Sequence, residues 1–208
     1  MKIEQYDSGL LHSNMYVVSE NGHAVVIDPA LYTEPARDLE IDWILLTHEH
    51  YDHISGVNAW KEKTHGKVLC SAACAERIRN PNKNLARLFP EFCQLQTWID
   101  HYEVPDTDRG YRCSADETFT DETRFIWQGH LVRLQEIPGH SPGSIGIFFD
   151  RDCFFSGDSL LKNREIELRF PGGSREQWAR TGLARIEAVP KGTIIYPGHF
   201  EKYKLTEH

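Results

Sequence analysis

The stretch Thr47-His48-Glu49-His50-Tyr51-Asp52-His53 limits what this chain can become more than any other. It places three imidazoles and the Asp52 carboxylate within six consecutive residues, soon after the apolar run Ile44-Leu45-Leu46, which reads as the end of a buried strand. His48 and His50 are two apart, so on an extended segment both project to one side. Asp52 and His53 follow where the chain turns towards a helix. Neutral imidazole is the commonest protein ligand for divalent first-row metals, and carboxylates join it at catalytic sites. Packing alone gives no reason to gather four such donors at one strand end.

The same pattern recurs along the chain. Ala24 to Ile27 runs into Asp28-Pro29, where the carboxylate either reaches into a site or makes a turn. Leu131 to Ile137 leads to Pro138-Gly139-His140-Ser141-Pro142-Gly143-Ser144. Cys153 to Phe155 leads to Ser156-Gly157-Asp158, and Thr193 to Tyr196 leads to Pro197-Gly198-His199. In a layered fold, strand ends on one edge converge on one site. Five histidines and two aspartates, besides Asp28, make seven donors. One zinc takes three or four protein ligands, so seven suit two ions. Two neighbouring ions polarise a substrate oxygen and supply hydroxide at neutral pH, which is chemistry for hydrolysing an acyl or phosphoryl bond.

Around these motifs the elements read as follows. Asn21-Gly22 between two apolar runs predicts a hairpin. Ile54 to Lys63 predicts a helix, Lys67 to Cys70 a strand, and Ala72 to Arg79 a helix capped by Ser71. Residues 174–188 predict an amphipathic helix capped by Ser174, with Trp178, Leu183 and Ile186 inward. The segment 83–114 lacks clean periodicity but carries Phe89, Phe92, Trp98, Tyr102 and Tyr111 among Asp100, Glu103, Asp106 and Asp108. Its aromatics argue against disorder, and it is expected to lie over one end of the domain as a lid or insertion. His12, His65, His101 and His130 read as surface or loop residues, since none sits in a Gly/Pro turn at a strand end.

The 208 residues fit one domain, large enough to bury its core without disulfide staples. A formal net charge of −8 argues against a general grip on nucleic acid, although it leaves room for a local basic groove. The start shows no signal peptide and no run is long enough to span a bilayer. Five cysteines without paired spacing suggest reduced thiols in a cytoplasmic protein, with Cys70 and Cys74 buried as small apolar residues.

The motifs at Asp28, 47–53, 138–144, 156–158 and 196–199 together resemble the metallo-β-lactamase superfamily, within it the glyoxalase II-like (hydroxyacylglutathione hydrolase-like) branch, and the resemblance covers nearly the whole chain. It implies an α/β fold, a four-layer αββα sandwich with two divalent ions at one edge, most readily zinc, with iron or manganese as alternatives. Carried over residue by residue, His48, His50 and His140 would hold the first ion, and Asp52, His53 and His199 the second. Asp158 would bridge them and Asp28 would support the His loop from behind. Asp52 and Asp158 would be the catalytic carboxylates, a bridging water the nucleophile, and Tyr51 a substrate contact. The implied reaction is hydrolysis of a thioester or related acyl small molecule. A lactonase or phosphodiesterase on the same scaffold is the alternative, as is a persulfide dioxygenase with one iron held by His48, His140 and Asp158. A non-catalytic metal scaffold would have no need of the complete donor set.

Pro171-Gly172-Gly173-Ser174 also resembles the branch. Just before it, however, Glu167 and Arg169 stand where Arg and Asp are usual, so the charges are exchanged. The chain ends nine residues after His199, without the helical C-terminal domain that carries much of the glutathione site in full-length glyoxalase II. The 83–114 segment is then expected to supply the substrate wall.

Overall fold

In the computed structural model, residues 1–32, 39–96, 99, 102–103 and 106–206 are described. Trp98, Asp100 and His101 lie outside them.

Strands β1 (Lys2–Asp7), β2 (Asn14–Glu20) and β3 (His23–Ile27) form an antiparallel meander. Asn21 and Gly22 both take positive φ, 51° and 83°, which is the turn that the Asn-Gly pair predicts. β4 (Glu40–Leu45) joins β3 in parallel and ends at the His-rich loop, followed by α1 (Tyr51–Ile54) and α2 (Val57–Thr64). The helix expected over 54–63 is therefore two short helices broken at Ser55-Gly56. Gly56 donates its N–H to the Pro29 carbonyl at 2.7 Å, and a Cβ there would lie 2.5 Å from the same oxygen. The break lets the loop after β3 press against the His loop.

β5 (Lys67–Ser71) and α3 (Ala72–Arg77) follow, with the Ser71 hydroxyl accepting from Cys74 N as the cap. After a 3₁₀ turn (Ala86–Leu88) come α4 (Phe89–Leu95) and β6 (Glu117–Phe119), which completes a six-stranded sheet in the order β1 to β6. The chain then builds a second six-stranded sheet. β7 (Glu122–Trp127), β8 (His130–Glu136), β9 (Ile145–Phe149) and β10 (Cys153–Gly157) are antiparallel neighbours. α5 (Arg175–Gln177) runs through a π turn (Trp178–Gly182) into α6 (Leu183–Glu187). The chain returns as β11 (Ile194–Pro197), parallel to β10, and β12 (Tyr203–Lys204) closes the edge.

Alternation along the strands sorts side chains into three apolar layers. On β2 and β3, Tyr16, Val18, Val25 and Ile27 face the second sheet, where they meet Leu134, Ile147, Phe149 and Phe155. Their neighbours Met15, Val17, Ala24 and Val26 face outward to Ile54, Val57, Trp60 and Ile78 on the flanking helices. On the other outer side, Phe148, Phe154 and Ile195 pack against Ile186 and Val189. Two sheets back to back with helices outside each are the expected αββα layers. Ser174 caps the last helix as expected, but Leu183 is 40% exposed and not inward. The π turn before it changes the helical phase, because Gly182 is pinned against the Pro138 carbonyl and the Trp178 ring with no room for a Cβ.

Candidate metal centre

Five strand ends open on one edge. β3 delivers Asp28, β4 the His48–His53 loop, β8 His140, β10 Asp158 and β11 His199. All seven predicted donors are brought together there. His48, His50 and His140 place ligand atoms within 4.8 Å of one another, and Asp52, His53 and His199 do the same. Asp158 stands between the two trios. Its Oδ2 is 3.5 Å from His140 Nε2 and 3.5 Å from His199 Nε2, and its Oδ1 is 3.6 Å from His53 Nε2. Asp52 Oδ2 lies 3.5 Å from His199 Nε2 and 3.6 Å from His53 Nε2. Donors on a tetrahedral zinc with bonds of about 2.0–2.1 Å sit roughly 3.3 Å apart, close to these spacings.

The far side of each ring fixes its near side. His140 Nδ1 faces the Glu167 carbonyl at 2.8 Å and His199 Nδ1 the Leu11 carbonyl at 3.1 Å. A carbonyl only accepts, so both rings keep a proton on Nδ1 and turn Nε2 towards the site. His53 Nδ1 faces Asp28 Oδ2 at 3.1 Å, with the same consequence. Thr47 Oγ1 donates to Asp28 Oδ2 at 2.5 Å, leaving its lone pairs to accept from His48 Nδ1 at 3.1 Å. His50 is turned the other way, with Nδ1 3.0 Å from His140 Nε2. His48 Nε2, His50 Nε2, His53 Nε2 and Asp158 Oδ1 are buried without a hydrogen-bond partner. Four such atoms in one cluster are costly unless something binds them, and the chemistry of the set fits divalent cations.

Asp28, His48 and His53 also form a compact trio, but Asp28 has no oxygen to spare. Its Oδ1 accepts Thr47 N–H at 2.7 Å, and its Oδ2 accepts both Thr47 Oγ1 and His53 Nδ1. Asp28 therefore orients the loop, as such carboxylates do behind metal-facing histidines.

Burial, reinforced by neighbouring imidazoles, pushes His48 and His50 well below the ordinary histidine range. Burial alone would do the same to His53, but Asp52, Asp158 and Asp28 overrule it and carry the ring up to about 10. Burial also opposes charge on His199, yet Asp158 and Asp52 raise it. Asp158 resists the upward push of burial, because His199 and His53 hold it well below the usual carboxylate range. Burial raises Asp52. Thus His48 and His50 are held neutral, whereas His53 and His199 are biased towards the protonated form.

Several supporting residues, some inside the motifs and some outside them, had no role assigned from the sequence. Glu49 is fully buried between the His loop and the His140 loop. Its Oε1 accepts from Arg77 Nε, and its Oε2 accepts from Ser141 Oγ at 2.8 Å and Gly143 N at 3.2 Å. Arg77 reaches on to the Pro171 carbonyl at 3.2 Å. Ser13 donates to the Asp52 carbonyl at 2.5 Å and pairs with His199 through an isolated bridge. Gly198 has no space for a Cβ, which would strike Asp158 Oδ1.

Other sequence expectations find their places. Tyr51 is buried, with its ring against Phe89 and Tyr111 and its hydroxyl accepting from Asp108 N at 3.1 Å. It anchors the described part of 83–114 to the loop. From that segment Phe92 touches Phe170, whose ring stands 6.0 Å from His50 and 6.1 Å from His140. Glu167 and Arg169 grip one another, with Arg169 Nη2 2.6 Å and Nε 2.9 Å from the carboxylate. His12 and His130 pair with Asp7 and Asp150, and His65 ends α2 in a left-handed conformation. A separate surface group, His23 with Glu40 and Asp42, lies outside these motifs; Trp127 Nε1 donates to one Asp42 oxygen at 2.7 Å.

Residues 8–199 match the family model of the metallo-beta-lactamase superfamily. A hydroxyacylglutathione hydrolase of Cereibacter sphaeroides is 30% identical over 185 residues, 86% of this chain and 58% of that protein. The chain thus spans about 60% of the length of such relatives. Among solved structures, the BLEG-1 B3 metallo-beta-lactamase superposes with a TM-score of 0.80 at 23% identity, covering 98% of this chain and 94% of that one. A protein crystallised in a di-iron-bound form gives 0.74 at 23% identity, covering 97% and 94%. At that identity both speak to the fold.

Proposed function

The chain belongs to the metallo-β-lactamase superfamily, and on that premise we propose that it is a metal-dependent hydrolase acting on a thioester or related acyl small molecule. The observation that carries this reading is the pair of donor trios joined by Asp158. His48, His50 and His140 would hold one divalent ion, Asp52, His53 and His199 the other, and Asp158 would serve both. When bound, such a pair supplies Lewis-acid polarisation of the substrate oxygen and a water activated at neutral pH.

The chain's own groups do the rest. Asp28, Thr47 and the Glu167 and Leu11 carbonyls hold four imidazoles in the tautomer that faces the site. Phe170 and Phe92 offer an apolar wall beside His50 and His140. The 83–114 segment would act as the lid that carries this wall, Tyr51 contributing by holding it. The thioester preference is supported by the hydroxyacylglutathione hydrolase relatives. We place the protein in the cytoplasm on its five unpaired cysteines. Among the described residues no helix is long and apolar enough to cross a membrane.

The first test is elemental analysis of protein purified without chelator, joined to a thioester assay. We expect about two ions per chain, zinc by preference, with hydrolysis lost on chelation and restored by metal. About one iron per chain, with oxygen uptake on persulfides and no hydrolysis, would replace this reading with the mononuclear-iron one.

The two halves should also part on acidification. His53, at about 10 without metal, must give up a proton to bind one, whereas His48 and His50 are already neutral at pH 7. Affinity at the Asp52–His53–His199 trio should therefore fall roughly tenfold for each unit of pH lowered below 8, with the other trio changing less. Chelator-competition titrations at pH 6 and 8 would read this as one weakened and one nearly unchanged site.

A further inference from the structure

Directly after two of the proposed ligands, the chain builds a basic cavity in an otherwise acidic protein. Lys162, Asn163 and Arg164, four to six residues beyond Asp158, face Phe200, Glu201 and Lys202, which follow His199. They line an open recess of about 560 Å³, within the size range of small-ligand sites. The formal net charge of the chain is −8, so three cations around one opening make a local reversal of sign. Among the described residues none of the three forms an ion pair, although Glu201 lines the same cavity and Glu165 follows Arg164. Their charges rest on aromatic faces instead: Arg164 lies 4.4 Å from the Phe200 ring centroid, Lys202 5.7 Å from Tyr196 and Lys162 5.9 Å from Tyr203.

The backbone is arranged to hold this geometry. Phe200 takes φ +70° and Asn163 φ +57°, conformations that residues with a Cβ rarely adopt. At Phe200 the cost is met by two hydrogen bonds to its carbonyl, from Asn14 Nδ2 at 2.7 Å and Gln5 Nε2 at 3.3 Å. The turn leaves the Phe200 ring 6.3 Å from the His199 ring on one side and under Arg164 on the other. A cation stacked on an aromatic face keeps its N–H groups at the edge for a second partner.

We propose that this cavity is the subsite for an anionic group, a carboxylate or a phosphate, on the part of the acyl substrate away from the scissile bond. The proposal deepens the acyl-hydrolase reading and rests on it. Lys162, Arg164 and Lys202 attract and position the anion, Phe200 supports Arg164, and the reacting carbonyl is left at the neighbouring His/Asp cluster.

The test compares three thioesters with one acyl group, whose thiol halves end in a carboxylate, a phosphate or a neutral amide. The readout is the ratio of kcat/KM for each charged ester to that for the neutral one, which cancels any loss shared by both. The wild-type ratio is expected to be on the order of tenfold for the preferred anion and to shrink as salt rises. In the Lys162→Gln/Arg164→Gln/Lys202→Gln variant, checked for unchanged metal content, it should fall to about one. The anion with the larger wild-type ratio is the one the subsite takes. A wild-type ratio near one, or a ratio the variant keeps, overturns the proposal. Should no thioester be hydrolysed, the hydrolase reading fails separately. Calorimetric binding of the anionic and neutral esters to the metal-loaded protein then decides the subsite: a preference lost in the variant sustains it, and equal binding removes it.

Discussion

Replacing Asp158 with alanine is expected to abolish hydrolysis and lower bound metal in the same variant. The carboxylate stands 3.5–3.6 Å from ring nitrogens of His140, His199 and His53, so it reaches members of both donor trios. One of its oxygens is buried without a hydrogen-bond partner. Groups that only orient ligands cost 10–100-fold in affinity or activity when removed. Loss of Asp158 should exceed that, by about a thousandfold or more in kcat/KM. Asp28→Ala provides the internal scale: its oxygens face Thr47 and His53 Nδ1, behind the cluster, and its loss should fall within the smaller range. Metal analysis and thioester hydrolysis on both variants check the order. Full activity in Asp158→Ala would sink the two-ion reading.

That contrast marks how far the chain could be read before it folded. Asp158, His140 and His199 were legible because each couples a donor to Gly or Pro at the end of an apolar run, a strictly local pattern. The layers were legible only through the resemblance, since the runs Met15 to Val18 and Ala24 to Ile27 are apolar on both faces and do not by themselves say which residues meet the second sheet. Gly56 was not, because the helix breaks there to let the Pro29 carbonyl approach, a contact made only once β3 and β4 lie side by side. Leu183 was misplaced because a π turn shifts the helical phase just before it, and the cause is the packing of Gly182 on Pro138. The exchanged charges at Glu167 and Arg169 satisfy one another, and this pairing leaves the Glu167 carbonyl to hold His140.

Glu49 sits inside the His-rich motif but its role carried no local signal, since its partners Arg77, Ser141 and Gly143 come from distant segments, and it provides the second large expected effect. Burial raises its carboxyl above the usual range against the pull of Arg77 and Ser141. The buried pair is therefore a weak source of net stability, because desolvation consumes most of its attraction. Breaking it is another matter. Glu49→Ala strands the Arg77 guanidinium, 15% exposed, takes the Glu49 acceptor from Ser141 Oγ and leaves Gly143 N without the carboxylate it donates to. The expected loss is about 3 kcal/mol, or a fall in Tm of roughly 6–12 °C for a chain of this size. Removing both charges, as Glu49→Leu/Arg77→Met, should restore most of that stability, because no buried charge remains unpaired. It should not restore metal affinity. Glu49 ties the loop of His48 and His50 to the loop of His140 through Ser141 and Gly143, and apolar side chains cannot replace those hydrogen bonds. Thermal unfolding of the metal-free proteins together with metal titration would show stability recovered and affinity still down by about tenfold or more. Recovery of both would mean that Glu49 and Arg77 serve packing alone, and that the three histidines of the first trio hold their places without them.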